Sequence, residues 1–279
     1  MFEKIVVPLD CSNLAEVALP YAEELGAKMG SEIVLLTVFE SEDTQEMENY
    51  FGYIKKIEES TRHYAEKYIE NGRDKPIKVM KAIRIGDPAG GILEYTLAIS
   101  FPLIVMASHG RSGMSRWAVG SVADKVVRSG KLQPVMLIRA KDSRSDIREK
   151  RLLKKILVPL DGSFESEAVI PYISNIAFKL EMELTLLQVI PETNHTKTDT
   201  ETYLQSVCRK IEDIVNVTIN YKVIVGAVAE TIVDLADALT FDLVAMSTRG
   251  MNRSNPLSLG SVAQKVFLGG NTPLLLIKR

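Results

Sequence analysis

A glycine-rich polar segment at residues 107–121 has the residue types and spacing best suited to chemistry. It follows an apolar run at residues 103–106, and residues 122–127 after it have the apolar spacing of a helix. The segment therefore joins the end of a predicted strand to the start of a predicted helix. Glycine lets the backbone approach a ligand closely, and free N–H groups in the first turn of a helix attract anions. This pattern predicts a phosphate-binding loop.

The same pattern occurs again near the end of the chain, after the apolar run at residues 243–246. In each copy nine residues separate two glycines, and a serine follows the second glycine. The residues are Gly110, Gly120 and Ser121 in the first copy and Gly250, Gly260 and Ser261 in the second. We expect the backbone amides of residues 110–121 and 250–261 to be bare and to face a phosphate.

The whole chain of 279 residues is a tandem repeat. The strand pattern at residues 4–9, followed by Asp10, recurs 151 residues later and is followed there by Asp161. A period of this length indicates a duplicated domain and not the short repeat of a solenoid. We predict a first domain at residues 1–141, a charged linker at residues 142–151 and a second domain at residues 152–279.

Strand and helix patterns alternate along each half. In the first half we predict strands at residues 3–9, 33–38, 77–83, 103–106 and 134–138, and helices at residues 13–29, 44–69, 89–99 and from 121. Such alternation predicts an α/β fold, doubly wound, with a parallel sheet and helices on both faces. Asn13 and Glu16 have the spacing of a capping box, and Pro20 is expected to bend the helix that follows or to weaken one turn of it.

Asp10 and Asp161 follow the first strand of each half, whereas the glycine loops follow the fourth. In a doubly wound sheet, ligands bind beyond the carboxyl ends of the strands where the winding direction reverses. If the first and fourth strands are neighbours, the carboxylate suits a ribose or adenine group and the loop suits phosphates. The alternative is that both aspartates only cap the following helices and that Ser121 and Ser261 are only helix N-caps.

These motifs resemble those of the universal stress protein family. Val-Pro-Leu-Asp-x-Ser opens each half, and the first half also contains Ser-His-Gly-Arg-Ser-Gly and, further on, Gly-Ser-Val-Ala. The resemblance covers nearly all of both halves, so it implies a tandem member. It further implies a five-stranded sheet in the order 3-2-1-4-5 in each domain, which makes strands one and four neighbours.

The resemblance also implies an adenine-nucleotide site in each half. The nucleotide-binding branch has Gly-x-x-Gly, nine residues and then Gly-Ser or Gly-Thr, and this chain has Ala107 and Ser247 at the first glycine. The second loop differs further, at residues 251–253 and Pro256, so the first half is the stronger candidate. The implied site residues are Asp10, Val38, Ala107, His109, Gly110, Gly120 and Ser121 in the first half, and Asp161, Val189, Ser247, Gly250, Gly260 and Ser261 in the second.

The expected function is that of an ATP-binding regulatory protein of the stress response with little or no turnover, with ADP and AMP as alternative ligands. No positioned base accompanies both loops, and the P-loop and dinucleotide glycine motifs are absent from the sequence. Two alternatives stay open: an interaction or signalling protein with empty pockets, and a slow ATP hydrolase. We expect no catalytic residue, and His63 and His195 lack companions at metal-ligand spacing, so we expect no metal site.

Composition argues against nucleic-acid and membrane partners. The formal net charge of the chain is -2. Hydrophobic residues make up 46% of the chain and charged residues 25%, which is ordinary for a globular protein. No apolar run approaches the roughly 20 residues that cross a bilayer. The start of the chain does not resemble a signal peptide, and the two cysteines lie far apart, so the cytoplasm is the expected location.

Members of this family commonly dimerise through strand five. We therefore expect residues 134–138 and 273–277 to pair within one chain as a pseudo-dimer, with a homodimer of the whole chain as a further expectation.

Overall fold

The computed structural model describes residues 2–42, 44–69, 76–109, 119–129, 133–139, 151–191, 197–250 and 259–278. The chain forms two compact units, residues 1–152 and 153–279. No helix in these described ranges is both long enough and apolar enough to cross a membrane.

The first unit contains a five-stranded parallel sheet. Its elements are β1 (Lys4–Pro8), α1 (Leu19–Met29), β2 (Glu32–Phe39), α2 (Thr44–Glu66), β3 (Val79–Ile85), α3 (Pro88–Leu97), β4 (Pro102–Ala107), α4 (Ser121–Ser129) and β5 (Val135–Ile138). The strands lie in the order β3-β2-β1-β4-β5, and Lys4 of β1 is paired with Glu32 on one side and Pro102 on the other. The predicted order 3-2-1-4-5 is confirmed here.

The second unit repeats these elements in the same order. They are β6 (Lys155–Pro159), α5 (Ile170–Leu180), β7 (Glu183–Ile190), α6 (Lys197–Glu212), β8 (Ile219–Val225), α7 (Val228–Ala238), β9 (Leu243–Ser247), α8 (Ser261–Gly269) and β10 (Leu274–Ile277). Strand β6 pairs with β7 and β9, β7 pairs with β8, and β9 pairs with β10, all parallel. The doubly wound α/β fold is therefore present twice.

The central strands are buried on both faces. Every residue of β4 is buried, as are Ile5, Val6 and Val7 of β1. A parallel sheet covered by helices on both sides requires such continuous apolar strands. Because β1 and β4 are neighbours and parallel, the chain leaves both at the same edge of the sheet, which brings Asp10 and Ser108 to that edge.

The start of α1 differs from the prediction. A 3₁₀ turn forms at Ala15–Ala18, and α1 begins at Leu19, so Pro20 lies in the first turn and does not bend the helix. Proline is tolerated there because first-turn N–H groups have no acceptor within the helix. The predicted capping box is wrong as well, since neither the 3₁₀ turn nor α1 has a side-chain cap.

Candidate functional site

A cavity of about 430 Å³ opens at the carboxyl ends of β1, β2 and β4 in the first unit. Its volume lies in the range usual for small-molecule sites. Of the seven residues predicted for the first site, six line this cavity: Asp10, Val38, Ala107, His109, Gly120 and Ser121. The seventh, Gly110, lies outside the described residues. The fold thus brings the predicted acid and the start of α4 to one cavity.

Asp10 organises the turn after β1. Its Oδ1 accepts hydrogen bonds from the Ser12 amide at 3.0 Å and from the Ser12 hydroxyl at 2.6 Å. The Ser12 hydroxyl oxygen in turn accepts from the Ala15 amide at 3.2 Å. The second unit repeats this turn, with the Ser163 amide 3.0 Å from Oδ1 of Asp161. Both aspartates therefore hold the turn after the first strand, and neither caps a helix, because the 3₁₀ turns and the helices that follow have no side-chain cap. Whether either aspartate contacts a ligand stays a prediction.

The glycines before α4 and α8 close the loop with their own amides. The Gly120 N–H donates to the Ser108 carbonyl at 2.8 Å, and the Gly260 N–H donates to the Thr248 carbonyl at 2.8 Å. The expectation of bare amides is therefore wrong at Gly120 and Gly260. These hydrogen bonds tie the end of β4 to the start of α4, and the end of β9 to the start of α8.

The amides that can meet an anion belong to the first turn of each helix. The N–H groups of residues 121–123 and 261–263 have no hydrogen-bond acceptor among the described residues. Gly260 occupies the N-cap of α8 without a side-chain cap, so Ser261 is the first helical residue and not an N-cap. Three first-turn amides and the positive end of the helix dipole form an anion-binding arrangement.

In the second unit the acid and the glycine loop lie in contact. A Cβ atom built on Gly250 would overlap Oδ2 of Asp161, so a larger residue there would displace that carboxylate. Val189 and Ser247, near the ends of β7 and β9, are buried. Here too the fold brings together the residues that follow the first and fourth strands.

The two loops have different basic residues directly before the glycine. His109 follows β4, and its Nδ1 is hydrogen-bonded to the Ser108 hydroxyl at 3.0 Å. Arg249 takes the same place after β9, and its amide donates to the Ser247 hydroxyl oxygen at 3.3 Å. Burial, and to a lesser extent the charge of Arg249, lower the pKa of Lys278 to about 8.

The site predicted from the sequence does not include a tyrosine and a glutamate that lie near each aspartate. The Tyr203 hydroxyl of α6 donates to Oε1 of Glu167 at 3.0 Å, and burial first, then Glu167, raise the pKa of Tyr203. In the first unit, burial first and Glu16 second raise the pKa of Tyr53. The glutamates lie 151 residues apart and the tyrosines 150, so an alignment that allowed for the shorter α6 would have found the pair.

Metal ligands do not cluster in the part of the chain that the structure describes: no three His, Cys, Asp or Glu side chains come together there.

Both halves of the chain are similar to known proteins. The sequence matches the Universal stress protein family over residues 1–139 and again over residues 153–278. Universal stress protein MJ0577 of Methanocaldococcus jannaschii is 25% identical over 160 residues, which cover 51% of this chain and 98% of that protein. Universal stress protein YxiE of Bacillus subtilis is 29% identical over 150 residues, which cover 50% of this chain and 100% of that protein.

One solved structure extends the likeness to the whole chain. The crystal structure of a universal stress protein from Archaeoglobus fulgidus DSM 4304 has a TM-score of 0.73 and 19% identity, and the alignment covers 99% of this chain and 98% of that one. At this identity the likeness concerns the fold. The two family matches cover nearly the whole chain, and with them the sequence-based expectation is confirmed: the protein belongs to the universal stress protein family, with two of its domains in tandem.

Proposed function

We propose that this protein binds adenine nucleotide, ATP foremost and ADP or AMP as alternatives, and acts as a regulatory protein of the stress response. The observation that carries the proposal is the cavity in the first unit. It joins the Asp10 turn, the end of β2 at Val38 and the first turn of α4, which begins at Ser121. A nucleotide needs these three features together, because its base, its ribose and its phosphates differ in polarity.

Each part of the cavity matches one part of the ligand. A carboxylate at Asp10 can accept hydrogen bonds from ribose hydroxyls or from the adenine amino group. The buried apolar wall, which includes Leu36, Met106 and Ile92, suits the face of the base. The first-turn amides of α4 suit the phosphates.

We further propose that turnover is slow or absent. Efficient hydrolysis requires a group that activates water close to the phosphates. His109 is the only imidazole that lines the described part of the cavity, and its Nδ1 is hydrogen-bonded to Ser108. Phosphate release from ATP should therefore be no faster in the wild-type protein than in His109→Ala. A rate that falls at least about tenfold in the variant would show the protein to be an ATP hydrolase.

One observation favours the alternative of an interaction protein with empty pockets, and it concerns the second unit. The Asp161 carboxylate lies directly against Gly250, which narrows the space between acid and loop. With Ser247 at the first glycine of the pattern, the second unit is the weaker candidate for a nucleotide.

The binding proposal is tested by thermal melting with ATP, ADP and AMP, together with mass analysis of any nucleotide that co-purifies. A ligand at a hundredfold excess over its dissociation constant stabilises the folded state by about 2.7 kcal/mol. Gly120→Val should remove the shift that belongs to the first unit, and Gly260→Val is the matched variant for the second. If no nucleotide co-purifies and none raises the melting temperature at millimolar concentration, the proposal is wrong.

A further inference from the structure

The start of α3 contains two adjacent glycines, Gly90 and Gly91, which the proposed function does not use. Glycine is a poor helix former, so its presence inside a helix indicates a place where another element lies very close. At the same place in the repeat the second unit has Glu230 and Thr231. The glycine pair is therefore a feature of the first unit and not of the second.

The two glycines differ in the space around them. A Cβ atom built on Gly91 would lie 2.8 Å from Cγ1 and 3.1 Å from Cγ2 of Val38, and 3.6 Å from Cβ of Arg84. Among the described residues, a Cβ on Gly90 would come no nearer than 3.4 Å to any atom, and that atom is Oδ2 of Asp87. The backbone of α3 thus rests on β2 at Gly91, and a side chain at residue 91 would require Val38 or the helix to move.

A second contact holds α3 on the same pair of strands. Arg84 of β3 is paired with Val38 of β2, and its guanidinium lies over the ring of Tyr95, 4.8 Å from the ring centroid. Tyr95 follows Gly91 by four residues, so both lie on the same side of the helix. The position of α3 over the ends of β2 and β3 is therefore set by Gly91 and Tyr95 together.

This contact lies at the wall of the cavity. Val38 lines the cavity from β2, and Pro88 and Ile92, which flank Gly91 in α3, line it from the helix. Val38 is half-buried, whereas its counterpart in the second unit, Val189, is buried. A Cβ at residue 91 can be accommodated by a new rotamer of Val38 or by a shift of α3, which carries Pro88 and Ile92. Valine has few alternative rotamers, and either change displaces the wall.

We propose that Gly91 determines the base specificity of the first unit, because it lets α3 lie directly on Val38 and so fixes the apolar wall for the base of the nucleotide. The inference rests on the proposed function. Gly91 acts through Val38 and is a positioning residue. A purine base covers more of an apolar wall than a pyrimidine base does, so a displaced wall should weaken the binding of ATP more than that of UTP.

Gly91→Ala and Gly90→Ala are the matched variants, because each adds one methyl group to the same turn of the same helix. Both are made in the full chain with Gly260→Val, which leaves the first unit to bind. Calorimetry with ATP should show about tenfold weaker binding for Gly91→Ala and a change below about twofold for Gly90→Ala. UTP, measured by its displacement of ATP, should lose less than about threefold in Gly91→Ala.

Val38 provides the test of the mechanism. Val38→Ala removes the two methyl groups that a Cβ at residue 91 would meet. In the Val38→Ala background, Gly91→Ala should therefore change the ATP affinity by less than about twofold, since the effects of two residues in contact are not additive.

Melting without nucleotide tests the packing at Gly91 independently of any ligand. Alanine is the better helix former, so Gly90→Ala should raise the melting temperature of the chain. Gly91→Ala should lower it, because the added methyl group overpacks the contact with Val38. The same measurement verifies that each variant is folded.

The outcomes separate this inference from the proposed function. The inference is overturned, while nucleotide binding stands, if Gly91→Ala binds ATP as tightly as Gly90→Ala does or loses ATP and UTP by the same factor. It is also overturned if Gly91→Ala has its full effect in the Val38→Ala background. If ATP binds neither the wild-type chain nor the Gly260→Val chain, both the inference and the proposed function are overturned.

Discussion

At the scale of single residues, the turn that presents the aspartate needs a left-handed backbone. Cys11 has φ 64°, and Gly162, at the same place in the repeat, has φ 83°. Only glycine adopts this conformation without steric cost, and another residue loses about 1 kcal/mol there. The turn is nevertheless kept in the first unit, where it brings the Ser12 hydroxyl to Asp10.

Cys11→Gly should therefore raise the free energy of unfolding by about 1 kcal/mol, because it removes the strained contact of the Cβ atom. The reciprocal change, Gly162→Cys, should lower it by a similar amount. Urea denaturation of both variants gives the two values. Changes of the same sign in both would contradict a backbone origin.

Lys278 provides a pH-dependent prediction. Its pKa of about 8 lies below the ordinary value of 10.5, chiefly because the half-buried side chain loses part of its hydration. The pKa of this lysine is lower in the folded protein than in the unfolded chain. The resulting contribution to the free energy of unfolding is fully present above the unfolded pKa and is lost as the pH falls through the folded pKa of about 8. Lys278→Met should raise the melting temperature at pH 7 and have little advantage at pH 10.5. The exposed Lys222→Met is the control, and an equal gain there would exclude burial as the cause.

At the scale of elements, the contact between the first and fourth strand ends depends on close packing. Gly250 has no room for a Cβ atom beside Asp161, whereas a Cβ on Gly269, at the end of α8, would meet no atom within 4 Å. A Cβ atom at residue 250 therefore requires the Asp161 side chain to move.

Gly250→Ala should lower the free energy of unfolding by about 1–3 kcal/mol, the usual cost of an overpacked site. It should also weaken ATP binding to the second unit, since Asp161 must move. Gly269→Ala is the matched substitution and should be nearly neutral in both measurements. Similar losses in the two variants would indicate a general effect of alanine.

A second link between elements joins α6 to the turn after β6 through Tyr203 and Glu167. Tyr203→Phe should cost about 1 kcal/mol of unfolding free energy at pH 7, because a buried hydrogen bond is lost. The raised pKa of Tyr203 means that its contribution is fully present below about pH 10 and is lost at higher pH. The difference between the wild type and the variant should thus shrink above pH 10. Tyr221→Phe, at a more exposed hydroxyl, serves as the control in the same pH series.

At the scale of the whole molecule, the duplication raises the question of how the two units associate. Within its own unit, β5 pairs with β4 and β10 pairs with β9, so each ends a five-stranded sheet. A sheet edge needs a partner or a cover. The pairing of β5 with β10, the homodimer of the whole chain and the cytoplasmic location stay predictions.

A protease site inserted into the predicted linker at residues 142–151 tests the pairing. After cleavage the halves should elute together on a sizing column and separate only when one is unfolded. A matched insertion of the same sequence without the cleavage motif controls for the inserted residues. Halves that elute as separate monomers would contradict association through the fifth strands.

Much of the fold and part of the site follow from the sequence alone. Apolar periodicity and the repeat determined the alternating elements, and the resemblance supplied the strand order. Asp10 and the glycine loop were predicted to meet because neighbouring parallel strands end at the same edge. Only the tertiary structure decided that Gly120 and Gly260 use their own amides to close the loop, that α1 begins at Leu19, and that Asp161 lies against Gly250. Those features depend on which groups meet across the fold, and the spacing of residue types along the chain does not specify those distances.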